Sequence, residues 1–156
     1  MGQEAAGHGY FAVEMTRDPQ SGRALGRVTL RVRYAETDRM GFVFNAHYLT
    51  WFEIGRTELL RSAGTPYRSV EDRGLNLPLI EASLRLNRPI RYDDQIVIET
   101  WIEQLRSRSI CFAYRILREG LSAAEGATTH ACVRAEDGRS VSFPAWLAGE
   151  IRGLLG

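Results

Sequence analysis

Residues Tyr34 to Gly64 read YAETDRMGFVFNAHYLTWFEIGRTELLRSAG, and the fold turns on how the two halves of this stretch are joined. From Ala46 onward the apolar residues Leu49, Phe52, Leu59, Leu60 and Ala63 keep helical spacing, until Gly64 and Pro66 stop the run. Asn45 just before them is a residue type that caps helix N-termini. A helix of about 18 residues spans about 27 Å at 1.5 Å per residue, enough to cross a small sheet. Upstream, RVTLRVRY alternates Val28, Leu30, Val32 and Tyr34 against Thr29, Arg31 and Arg33, the period of a half-buried strand. Between strand and helix stand an aspartate, a glycine and an apolar run where ordinary turn residues would suffice.

Downstream the pattern changes. After a linker, YRSVEDRG, come four long strand-like runs: LPLIEASLRLNRPI, DDQIVIETWIEQL, SRSICFAYRILRE, and GATTHACVRAEDGRSVSFP, the last ending near an EDGRS turn. Short connections make the sheet antiparallel, and the long helix must bury its apolar face against one side of it. AWLAGEIRGLL after Pro144 reads as a closing helix. Residues 1–26, with TRDPQSGRALG, read as an N-terminal extension, and residues 27–156 as one domain of α+β class.

The bulk composition excludes several functions. The apolar fraction of 44% supports a packed core, and no run of about 18 apolar residues predicts a membrane span. A formal charge of +1 argues against broad attraction to nucleic acid or anionic lipid. All 20 basic residues are arginine, so any anion must be held by guanidinium or backbone groups. Cys111 and Cys132 are too few and too far apart for a zinc motif, and read as buried thiols. The N-terminus lacks the basic and apolar segments of a secretory signal, which makes the cytoplasm the expected location.

The order strand, long helix, four antiparallel strands resembles the hotdog fold, in which a curved sheet wraps a central helix. RYAETDRMGFVFNAHYLTWFEIGRTELL is similar to the opening signature of 4-hydroxybenzoyl-CoA thioesterase-like and YbgC-like acyl-CoA thioesterases, and NRPIRYDDQIVIET looks like their second block. The resemblance implies thioester hydrolysis without metal or cofactor. It implies that Asp38 is the catalytic carboxylate, a general base or a nucleophile, and that the helix N-terminus polarises the thioester carbonyl. Asn45 stands where YbgC-like proteins often have histidine, so it would polarise or position water rather than titrate. Gly41, Val43, Phe44, Ala46, His47 and Tyr48 would contact substrate, with Phe42, Val43 and Phe44 carrying the chain over the interior. A second hotdog group places its carboxylate on the central helix, which makes Glu53 the alternative catalytic residue. Glu53 is also spaced to pair with Arg56.

Acyl-CoA carries phosphates, and arginines grip phosphate bidentately. Arg106, Ser107 and Arg108, in the turn RSRS, are expected at the CoA rim, with Arg88 and Arg91 flanking Pro89 as further candidates. Asp93 and Asp94 read as turn formers rather than a metal pair. Hotdog subunits pair edge to edge, so a homodimer or homotetramer is expected. Acyl carrier protein as the thiol carrier, a hydratase using an Asp/His pair, and a noncatalytic acyl-binding module are the competing functions; no histidine is suitably placed beside Asp38 for the second.

Overall fold

The computed structural model describes residues 10–156. In chain order the elements are strands β1 (Tyr10–Arg17) and β2 (Ala24–Arg31), helices α1 (Ala46–Ser62) and α2 (Tyr67–Asp72), strands β3 (Leu75–Asn76), β4 (Leu79–Leu86), β5 (Gln95–Leu105), β6 (Ser109–Arg118), β7 (Leu121–Ala131) and β8 (Val133–Arg134), and helix α3 (Ala145–Leu155). Six strands form one sheet in the order β1-β2-β5-β6-β7-β4, every neighbouring pair antiparallel, and β3 pairs with β8 separately. With α1 packed on β2, β5 and β6, this is the α+β hotdog arrangement.

The face that α1 buries follows from its sequence. Tyr48, Trp51, Phe52, Gly55 and Leu59 recur at spacings of three and four and are all buried. Phe52 stacks on Tyr114 of β6, with ring centroids 4.2 Å apart. Below them the inward residues Ile96, Ile98, Thr100 and Ile102 of β5 are fully buried, as are Val28 and Leu30 of β2. Gly55 marks the closest approach of helix to sheet: a Cβ there would overlap Thr100 Oγ1 and stand 3.0 Å from Ile98 Cγ2.

Several sequence expectations change in the folded chain. Residues 10–17, within the stretch read as an extension, form β1 and extend the sheet beyond β2. Tyr34 does not continue the buried stripe, because a 3₁₀ turn over Tyr34–Glu36 ends the strand and leaves the ring 78% exposed, edge-on to Tyr92. Leu49 lies off the buried stripe of α1. The linker YRSVEDRG holds α2, which begins after Pro66. The fourth long strand starts earlier than its pattern indicated, at Leu121: Glu119 and Gly120 have φ of 53° and 75° and close a two-residue hairpin in which Arg118 faces Leu121.

Replacing Gly55 by Ala sets a helix-propensity gain of about 1 kcal/mol against an overpacking cost of about 1–3 kcal/mol. A net loss of stability is expected, read as a lower urea midpoint at unchanged slope. A variant as stable as the parent would show that the helix does not sit against Thr100.

Candidate active site

Asp38 lies in the loop that returns the chain from the 3₁₀ turn to α1. Its Oδ1 accepts hydrogen bonds from the N–H groups of Met40 at 2.9 Å and Phe42 at 3.2 Å. Its backbone N–H donates to Phe42 O at 2.8 Å, and Gly41 N–H donates to Asp38 O at 3.0 Å. One carboxylate oxygen is therefore committed to the loop, and Oδ2 has no partner among the described residues. Gly41 adopts φ of 83°, a region a side chain resists. Its role is this turn rather than a close approach, because an added Cβ would meet only Arg91 Nη1 at 3.7 Å.

The loop is pinned on both flanks. Val43 N–H donates to Ile90 O at 2.9 Å, and Phe42 bridges Arg91, whose guanidinium sits 4.4 Å over the Phe42 ring. Phe44 N–H donates to Glu36 O at 2.9 Å, while the buried Glu36 carboxylate accepts from Trp51 Nε1 at 3.0 Å and Arg33 N at 2.8 Å.

These contacts leave a cavity of about 350 Å³ lined by Asp38, Met40, Phe42, Val43, Asn45, Tyr48 and residues 86–90. It unites Asp38, Asn45, Val43 and Tyr48. Phe44 is 52% exposed and turns to His47 instead of the interior, so only Val43 of the apolar run is buried in the core. Gly41, Ala46 and His47 lie beside the cavity in sequence without lining it. Asn45 does not cap through its side chain: its backbone is already helical, with φ −51° and ψ −38°, and no side-chain bond reaches the first turn. The amide thus stays available at the cavity. Among the described residues, the backbone N–H groups of Asn45 and Ala46 have no acceptor, as the first helical donors generally do not.

Arg106, Ser107 and Arg108 occupy the β5–β6 turn, where Ser107 O accepts from Phe143 N and Arg108 O from Cys132 N, both at 2.9 Å. Asp38 is beside the start of β5, and that strand's 11 residues separate the two places by about 35 Å within one chain. Sequence reasoning named Arg88 as a phosphate candidate but missed residues 86–90 as a cavity wall, which the Val43–Ile90 bond brings to Asp38. Asp93 and Asp94 do set a turn: Asp93 has φ of 69°, and Asp94 Oδ2 accepts from Arg91 N at 2.8 Å and pairs with Arg118 at 3.2 Å. No cluster of three metal-ligating side chains occurs among the described residues, and none of their helices is long and apolar enough to cross a membrane. Cys111 and Cys132 are free thiols.

Glu53 lines a different cavity, of about 250 Å³, with Arg56, Thr57, Leu60, Tyr67, Leu77, Phe112 and His130. The Glu53–Arg56 pair does not form; Arg56 turns toward the Tyr114 hydroxyl, and the next pair on the helix, Glu58 with Arg61, closes instead. His130 is 2% exposed. Its Nδ1 meets Leu77 O at 3.0 Å, and since a carbonyl only accepts, Nδ1 carries the proton. Nε2 then accepts from the Thr128 hydroxyl at 2.9 Å, and Thr128 accepts from Tyr114 at 2.6 Å. Burial, with the Arg56 charge beside it, pushes the His130 pKa down to about 4.

The thioesterase-like superfamily model matches residues 32–151. A Bacillus subtilis protein with the provisional name acyl-CoA thioesterase YneP is 34% identical over 122 residues, covering 75% of this chain and 88% of the relative. The Haemophilus influenzae acyl-CoA thioesterase YbgC is 30% identical over 116 residues, covering 74% and 85%. Among solved structures, a DHNA-CoA thioesterase from Staphylococcus aureus superposes with a TM-score of 0.77 at 26% identity, covering 83% of this chain and 92% of that one.

Because His130 is held neutral, its folded pKa lies below the ordinary value of 6.5. The unfolded chain then binds more protons between pH 6.5 and about 4, so the stability His130 contributes is present above pH 6.5 and is lost as pH falls through that window. The loss should reach at most about 3 kcal/mol, at 1.36 kcal/mol per pH unit. Unfolding free energies of the parent and His130→Gln across this range should diverge by that slope, and parallel profiles would refute the assignment.

Proposed function

Because the chain belongs to the thioesterase-like superfamily, we propose that it hydrolyses acyl-CoA thioesters to free acid and CoA thiol, with the chemistry in the Asp38 cavity. The observation that carries this reading is that Asp38, Asn45 and Tyr48 of the opening turn of α1 line one cavity, and that at this helix tip the N–H groups of Asn45 and Ala46 lack acceptors. A thioester carbonyl placed against those donors gains oxyanion stabilisation from unsatisfied N–H groups at the positive end of the helix dipole. Acting as base, Asp38 takes a proton from water as the water oxygen attacks the carbonyl carbon. The tetrahedral oxyanion then collapses, the C–S bond breaks, and the departing thiolate recovers that proton. Acting as nucleophile, Asp38 displaces the thiolate to form a mixed anhydride, which water opens. In either course the Asn45 amide orients water or substrate. Acyl carrier protein offers the same thioester and is the alternative carrier.

Assembly completes the reading. Among the described residues the outer edge of β4 has no partner strand, and it exposes Leu79, Ile80 and Leu86, at 48%, 61% and 49%. Two copies joined antiparallel along this edge would hide it. The register Leu79↔His130 and Leu86↔Ala124 puts the start of β4 at the β5–β6 turn end and its finish at the Asp38 end. A two-fold therefore brings the partner subunit's Arg106 and Arg108 to the Asp38 end of the sheet, three to four strands from the end of β4 where residues 86–90 wall the cavity, or about 14–19 Å at 4.8 Å per strand. A pantetheine arm, comparable to four extended residues, reaches about 14 Å. The carrier phosphates would then meet these arginines.

Asp38→Asn keeps an Oδ1 acceptor for Met40 and Phe42 while removing the charge, so the loop should hold and kcat should fall about 100- to 10,000-fold in a thiol-release assay. Full turnover in Asp38→Asn together with none in Glu53→Gln would move the chemistry to the second cavity, and acyl-CoA binding without release would make the protein a noncatalytic module. Ile80→Asp, a charge on the proposed two-fold edge, should yield monomers by sedimentation and lower kcat/KM; an active monomer would remove the shared-site model.

A further inference from the structure

One more charged residue lines the Asp38 cavity, the solvent-exposed Arg88, which the hydrolytic scheme leaves without a role. Its backbone is firmly held. The N–H groups of Asn87 and Arg88 both donate to Ala123 O, at 2.8 and 3.0 Å, and Pro89 restricts the residue before it to extended geometry. Ile90, two residues on, is fully buried and accepts from Val43 N. Among the described residues the Arg88 guanidinium has no ion-pair or hydrogen-bond partner. Nearby arginines are engaged: Arg91 lies over Phe42, and Arg118 pairs with Asp94. Asp38 and Arg88 are the two charged residues lining this cavity, and most of the others are apolar.

Size decides which part of a substrate Arg88 would meet. A space of about 350 Å³ corresponds to a sphere about 9 Å across, the scale of a small ligand pocket. The pantetheine arm separates thioester from carrier phosphates by about 14 Å, so the phosphates fall outside the cavity when the thioester is at Asp38. That leaves the acyl side of the thioester as the part of the substrate that Arg88 can meet. A guanidinium fork matches a carboxylate in geometry and charge, and a carboxylate entering without it would face the charge of Asp38 alone. We propose that Arg88 determines specificity by binding a terminal carboxylate on the acyl group, so that the preferred substrates are thioesters of short dicarboxylic acids. This deepens the thioesterase reading and rests on it.

The test measures kcat/KM for carbon-matched pairs, malonyl- against propionyl-CoA and glutaryl- against pentanoyl-CoA, with the parent, Arg88→Met and Arg88→Lys. The parent should favour the dicarboxylic member about tenfold or more, the low end for a hydrogen bond to a charged group. That ratio should collapse to one or below in Arg88→Met and recover in part in Arg88→Lys, which keeps the charge and loses the fork. A parent ratio near one, with release intact, overturns the Arg88 proposal and leaves thioester hydrolysis standing. So does an equal loss in both members of each pair that vanishes with phosphate-free pantetheine thioesters, since Arg88 would then serve the carrier. If the parent releases thiol from no ester, the thioesterase reading itself fails, and calorimetry with glutarate and pentanoate decides the pocket: glutarate bound by the parent and lost in Arg88→Met supports it, and equal binding of the two acids overturns it.

Discussion

The buried carboxylate of Glu36 ties together the parts on which the site depends. With 4% of its surface exposed, it holds the indole N–H of Trp51 on α1 and the backbone N–H of Arg33 just after β2, while its own carbonyl accepts from Phe44. An ionised group out of water is costly unless hydrogen bonds replace its hydration. Here two N–H donors and the Arg33 guanidinium at 3.5 Å do so. The loop carrying Asp38 is thus stretched between a fixed point below the helix and the Val43–Ile90 bond. Asp38 keeps its place relative to the helix tip because the residues two positions before it and five after it, Glu36 and Val43, are anchored.

Helix and sheet meet by subtraction of side chain. Gly55 lets α1 settle on Thr100 and Ile98, and Phe52 stacks on Tyr114 at the same level. Lowering the helix this far leaves no room for a continuous pocket beneath it. Two separate hollows result, one at its tip with Asp38 and one at its middle with Glu53, and the two carboxylates considered for catalysis fall into different ones. The division gives each acid its own surroundings: a helix tip and Arg88 for Asp38, a buried histidine and Arg56 for Glu53.

Much of this was legible in the chain itself, because it depends on local pattern. The helix from Ala46, its stop at Gly64, the closing helix after Pro144 and the alternation in β2 follow from periodicity and breakers. What escaped depends on partners far apart in sequence. Asn45 is a capping residue type, yet its own backbone is already helical and its side-chain amide makes no capping bond. Arg56 has helical spacing to Glu53, but a buried tyrosine hydroxyl draws it inward. Residues 86–90 join the site only through a bridge to Val43, and nothing in their own order announces it. Glu36 carries no signal of burial, since a glutamate in YAE reads as a solvent-facing turn.

The chain of hydroxyls behind the second hollow has a sense of direction. Leu77 offers only lone pairs, so the imidazole proton must point to it, the Thr128 proton must point to the imidazole, and the Tyr114 proton to Thr128. Reversing any one link would set two protons, or two lone pairs, face to face between buried side chains. Position 128 therefore needs a side chain that gives and takes at a single atom, which threonine and serine provide and valine of the same shape does not. Phenylalanine at position 114 would strip that oxygen of its donor while leaving the imidazole undisturbed. The substitutions that this interior tolerates are set by the grammar of proton placement more than by volume.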